Sequence, residues 1–182
     1  LIEDAKKYNF PFAQITAGNQ PRAALGYQFS ALIKILSNFK LIKNLDKELL
    51  GLEKNLKPQE LEKTGSSLAK KLKGRIPLVY SSEANECLAR IWKIKFNENS
   101  KIPSFYNFFP ELNHNEMSGM GECEIKEWRN LFQVVILNNK KDHPRIIKRM
   151  EILSKIFQKK NIKVNFVEIE GKNIFEKFFN NN

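Results

Sequence analysis

A chain of 182 residues with 42% hydrophobic content is long enough to bury one core of its own. It holds no apolar run of about 18 residues, which excludes a membrane-spanning helix, and no basic stretch followed by an apolar one opens it, so no signal peptide is expected. The net charge of +11 comes mostly from lysines scattered over Lys54 to Lys73, Lys140-Lys141 and Lys155 to Lys163. Without an aromatic ladder or an arginine cluster this argues against single-strand nucleic-acid binding, whereas a mild positive field suits a small phosphorylated substrate.

In chain order, Phe12-Ala13-Gln14-Ile15 reads as a short strand closed by Ala17-Gly18-Asn19. Pro21 opens a helix to about Phe39, with Leu25, Phe29, Leu32, Ile33 and Leu36 at helical spacing. From Asp46 to Lys73 the charged, leucine-dotted stretch predicts one or two surface helices, broken near Pro58 and Gly65. Ile76 to Tyr80 is a buried strand. Ser81-Ser82 follows, placed to cap a helix over 83–96 that turns Cys87, Leu88, Ile91 and Trp92 inward. Ile102 to Phe108 is a third strand, followed by Glu111-Leu112-Asn113-His114-Asn115-Glu116 in a loop or short helix. Phe132 to Leu137 is a fourth strand, and His143-Pro144 begins a long helix to about Lys160, His143 serving structure. Val164 to Ile169 is a fifth strand, and a last helix covers 173–179.

Strands alternating with helices predict a three-layer α/β/α domain with a parallel sheet of about five strands. Neither an internal repeat nor a linker is visible, so a single domain over 1–182 is expected. In such sheets ligands sit beyond the carboxyl ends of the strands, where Ser81-Ser82, Asn138-Asn139 and the His114 segment fall. Only two cysteines, Cys87 and Cys123, are present, with no CxxC. A disulfide framework or metal site is therefore unsupported, and a reducing, cytoplasmic setting is the expectation.

Proton transfer between adjacent carbons needs a base, usually a carboxylate, and is helped by a group that titrates near neutrality, usually histidine. Glu98, in Phe96-Asn97-Glu98-Asn99, and His114, one of only two histidines, are candidates for that pair. Both Arg22, near a helix start, and Glu98, near a helix end, are poorly placed for the helix dipole, which a functional demand would explain.

The segments Gln20-Pro21-Arg22-Ala23-Ala24-Leu25-Gly26-Tyr27, Phe96-Asn97-Glu98-Asn99 and Phe109-Pro110-Glu111-Leu112-Asn113-His114-Asn115-Glu116 occur in this order. Together they resemble the bifunctional phosphoglucose/phosphomannose isomerases of the sugar isomerase (SIS) domain group, in the C-terminal of the family's two SIS domains. The resemblance implies an SIS, flavodoxin-like fold and interconversion of glucose 6-phosphate or mannose 6-phosphate with fructose 6-phosphate, with no metal and no organic cofactor. It implies that Glu98 is the base that shuttles a proton between carbon 1 and carbon 2 through a cis-enediolate. His114 would open the sugar ring, reaching the site from the neighbouring subunit of a homodimer, and Arg22 would stabilise the enediolate charge.

The family's N-terminal SIS domain, whose serine- and threonine-rich loop binds the substrate phosphate, has no counterpart in these 182 residues. The family's final helix and tail, which carry an active-site lysine, are also expected beyond them, and Lys172 does not match that lysine. Ser81 stands where the family has glycine. The chain by itself is therefore expected to be inactive or very weak, with the N-terminal SIS domain as partner. The alternative is a non-catalytic SIS domain that senses a sugar phosphate or serves dimerisation, although a sensor needs no carbon base such as Glu98.

Overall fold

The computed structural model describes residues 1–181, and the chain divides into two compact units, Leu1–Leu56 and Lys57–Asn182. The first unit contains α1 (Ile2–Lys7), α2 (Leu25–Asn38) and α3 (Asp46–Asn55). Residues 10–16 carry no regular structure, so the strand expected at Phe12-Ala13-Gln14-Ile15 does not form. Four residues behind Pro11, with no second strand in the unit to pair with, leave their backbone groups to solvent, and Phe12 and Ile15 are exposed. The helix expected from Pro21 is split into a single 3-10 turn, Pro21–Ala23, and α2. The Asn44 side chain accepts the Asp46 backbone N–H at 2.8 Å and starts α3, while Lys34 ties α2 to it through a 2.6 Å ion pair with Asp46.

The second unit begins with α4 (Pro58–Leu72). Gly65 does not break this helix: the loss of about 1 kcal/mol relative to alanine is outweighed by the apolar stripe that ends in Leu68 and Leu72, which pack against the sheet core. Four parallel strands follow, β1 (Ile76–Ser82), β2 (Phe105–Phe109), β3 (Phe132–Asn138) and β4 (Lys163–Glu168), in the order β2-β1-β3-β4. The central pair β1 and β3 is nearly all buried, as near-continuous apolar runs demand in a sheet covered on both faces. The edges β2 and β4 mix polar residues and are partly exposed.

Alternation along the strands divides the core in two. Leu78, Tyr80, Phe109, Val134 and Ile136 face Met150, Leu153 and Phe157 of α8 (Pro144–Lys159), with Met117 and Met120 of α6 (Glu116–Gly121) beside them. Val79, Val135 and Leu137 face the other way, onto α4, onto Leu88, Ala89 and Trp92 of α5 (Glu86–Lys95), and onto Phe178 of α9 (Ile174–Asn180). The result is the expected three-layer α/β/α arrangement, with four strands instead of five. Cys87 is exposed because Leu88 and Ala89 take the inward positions of α5. A short helix that the sequence does not announce, α7 (Lys126–Leu131), precedes β3.

The turn into α9 requires glycine at 171: its φ is +151°, and a Cβ there would collide with the backbone of Glu176 and Lys177. Asn173 then caps α9, its side-chain oxygen accepting the Glu176 N–H at 2.9 Å.

Candidate functional site

Two places in the second unit present functional groups, and they lie at opposite edges of the sheet. Glu98 occupies a π-helical turn, Phe96–Ser100, that continues α5; such turns are frequent at functional sites. The turn is closed by Lys101 in the left-handed conformation, whose N–H returns to the Phe96 carbonyl. Helix α5 leaves the carboxyl end of β1 and runs back, so the turn lies at the amino edge of the sheet. Ser104, just before β2, marks that edge by donating its hydroxyl to the carbonyl of Pro77 at the start of β1, at 2.9 Å. Glu98 is exposed, and its carboxylate has no hydrogen-bond or ion-pair partner among the described residues.

His114 follows β2 at the carboxyl edge, after a 3-10 turn over Glu111–Asn113. Its backbone N–H bonds to the Glu111 carbonyl at 2.9 Å, and its ring is exposed. Leu112, wholly buried, drives the turn into the core. The Asn113 side-chain oxygen accepts from Arg149 of α8 at 3.2 Å. From Ser104 to Pro110 the extended chain covers about 20 Å, so one copy of the unit does not bring Glu98 and His114 together. Arg22 is exposed in its 3-10 turn in the first unit.

The strand order reverses between β1 and β3, and the crevice outside their carboxyl ends is the usual ligand position in such sheets. Here side-chain hydrogen bonds cross its rim. Asn85 donates to the Ser82 hydroxyl at 2.7 Å and to Asp142 at 3.0 Å. Asn139 accepts from the Lys141 N–H at 3.0 Å and from Lys177 at 3.3 Å. Neither serine caps the next helix as expected: the Ser81 hydroxyl donates to the Ser82 carbonyl at 3.0 Å, and Ser82 serves Asn85. Glu83 and Glu86 stand in the first turns of the helical segments that open onto the crevice. With Asp142 beside them, an anion there meets carboxylates instead of the free N–H groups that attract phosphate. His143 is structural, as the sequence suggests: it is the N-cap of α8, its Nδ1 accepting the Arg145 N–H at 3.1 Å.

Asn107 and Glu116 acquire a connection only in the folded chain. Asn107 donates to the Glu116 carboxylate at 2.5 Å, tying the His114 segment to β2. A polar residue inside the apolar strand Phe-Tyr-Asn-Phe-Phe is the signal that points to it. Among the described residues, no group of three or more His, Cys, Asp and Glu side chains is placed to hold a metal ion. No helix among them is long and apolar enough to cross a membrane.

Comparison with known proteins places these features in a family. The profile described as "Bacterial phospho-glucose isomerase C-terminal SIS domain" matches residues 61–181. The chain is 34% identical over 161 residues to a bifunctional phosphoglucose/phosphomannose isomerase of Aquifex aeolicus, covering 87% of this chain and 47% of that protein. It is 38% identical over 162 residues to one of Caldicellulosiruptor bescii, covering 84% and 47%. A D-glucosamine-6-phosphate 4-epimerase of Sulfolobus acidocaldarius is 30% identical over 122 residues, covering 64% and 38%. The chain thus spans about half the length of the isomerases it matches. With an all-parallel α/β/α unit in the matched region, the chain belongs to the family of bacterial phosphoglucose isomerase C-terminal SIS domains.

Proposed function

We propose that this chain is the C-terminal SIS half of an aldose–ketose isomerase that interconverts glucose 6-phosphate or mannose 6-phosphate with fructose 6-phosphate. Glu98 acts as the base, moving a proton between carbon 1 and carbon 2 through a cis-enediolate. Arg22 stabilises the charge that develops on the enediolate oxygens, a task a fixed cation performs without reorganisation. His114, from a second copy, opens the sugar ring. An N-terminal SIS domain holds the phosphate.

The observation that carries this reading is the separation of the two motif residues. Both are exposed, both lie in turns, and they stand at opposite edges of one sheet. A base and a ring-opening group so placed serve one substrate only when two copies meet, which is what a site shared across a dimer requires. The carboxylates around the β1–β3 crevice agree with a phosphate site supplied from elsewhere. The 4-epimerase among the relatives favours a second reading, a configuration change on an amino-sugar phosphate.

The test uses the complete two-domain protein. Glu98→Gln and His114→Ala are each expected to lower isomerase turnover by about 10²-fold or more, the low end for acid–base catalysis. Mixing and refolding the two inactive variants should restore one working site per mixed dimer. No recovery would show that the two residues do not act across copies. Turnover of an amino-sugar phosphate with inversion at carbon 4, and none of the neutral sugar phosphates, would select the epimerase reading.

A further inference from the structure

The segment that presents His114 is held at its far end by the half-buried carboxylate of Glu116, which has no part in the proposed chemistry. Glu116 is the first residue of α6, and its carboxylate turns inward to the sheet. One oxygen accepts from the Asn107 amide at 2.5 Å. The Asn107 side-chain oxygen Oδ1 accepts the Phe108 N–H at 2.8 Å, which fixes the side-chain amide with its NH2 toward Glu116. The second Glu116 oxygen is buried with no hydrogen-bond partner among the described residues.

Tyr80 stands on the neighbouring strand, within range of the Glu116 charge. It is the register partner of Asn107 and is 1% exposed. Its hydroxyl is likewise buried and unpaired among the described residues. Burial first, and then the negative charge of Glu116, push the phenol well above its ordinary range, so it stays a donor. Around these groups the core is apolar, with Phe109, Leu112, Met150 and Leu153 packed beside Tyr80. A carboxylate set against such a wall is costly unless hydrogen-bonded, and packing alone is served as well by methionine or leucine.

Before His114, Leu112 and the Asn113–Arg149 bond hold the chain; after it, the Glu116–Asn107 bond does. Two residues of tether allow His114 only a few ångströms of travel, about 3.8 Å per residue at most. We propose that Glu116 is the positioning residue of His114, with Asn107 as its oriented donor. This rests on the proposed role of His114. Glu116 does not touch the sugar; it acts by holding the backbone that aims the imidazole.

Two arms test this. In the present chain, isotope-labelled histidine gives two imidazole signals, His114 and His143, the second an internal control at the start of α8. Glu116→Ala should shift and broaden the His114 signal and leave that of His143 unchanged. Glu116→Gln keeps an acceptor for Asn107 and should retain the native signal. In the complete two-domain protein, Glu116→Ala should lower kcat by about tenfold or more with KM within about twofold, as loss of orientation does. Glu116→Gln should restore most of it. Where Glu116→Ala does not fold, Asn107→Ala breaks the same bond from the strand. An unchanged His114 signal in the alanine variants, or a kcat loss that Glu116→Gln shares in full, would overturn the proposal. If the unaltered protein isomerises neither sugar, the ring-opening role of His114 fails, while the imidazole signals still decide whether Glu116 positions it.

Discussion

Leu112→Ala is the sharpest test of how the His114 segment is held. Leu112 is wholly buried in a one-turn helix two residues before His114, packed with Tyr80, Phe109, Met150 and Leu153. Truncation removes three carbons from the core, about 2.4 kcal/mol at ~0.8 per carbon. Neighbours on β1, β2 and α8 are held by their own elements and do not collapse fully into the space. The cavity adds to the loss, for a total of about 3–4 kcal/mol. Urea unfolding followed by tryptophan fluorescence suits the measurement, because both tryptophans, Trp92 and Trp128, lie in the sheet-containing unit. With a slope of about 2 kcal/mol per molar urea, the midpoint should fall by about 1.5–2 M. Leu112→Met conserves volume and should cost less than about 1.5 kcal/mol. Ile152→Ala, at a position 44% exposed on α8, should move the midpoint by less than about 0.5 M. A shift for Leu112→Ala as small as that of Ile152→Ala would refute the claim that this side chain seats the turn.

Arg22→Ala in the complete protein should lower turnover by about 10²-fold or more and weaken an enediolate-mimicking hydroxamate far more than substrate; equal weakening with normal turnover would make Arg22 a mere ligand contact and favour a sensor. Tyr80 should resist ionisation in the folded protein, because burial and then Glu116 raise its pKa. A raised pKa means its contribution is complete below the ordinary phenol value, about 10, and is lost as pH rises above it. The tyrosinate absorbance that Tyr80→Phe removes should, in the unaltered protein, appear only with unfolding; a difference between the two proteins near pH ~10 while both are folded would refute this.

The layered architecture of the second unit is legible in the order of its residues. The runs Ile76–Tyr80 and Val134–Leu137 are apolar without alternation, which a sheet buried on both faces accommodates. Prolines at 58 and 144 open long amphipathic helices whose apolar stripes are readable at helical spacing. The three motifs with Arg22, Glu98 and His114 were likewise legible, because they are contiguous in the chain.

Tertiary context decided the rest. Phe12 to Ile15 has the composition of a strand, yet a strand exists only where another pairs with it, and none does in its unit. Gly65 reads as a break, yet the stripe around it packs on the sheet and keeps the helix. Ser81 and Ser82 read as caps, yet their hydroxyls go to a neighbouring carbonyl and to Asn85. The separation of Glu98 from His114 follows from the direction of α5 and β2, which no spacing along the chain reveals. The Asn107–Glu116 bond joins β2 to the start of α6. The register of β1 on β2 sets Tyr80 beside Asn107, and register is settled by which faces are buried.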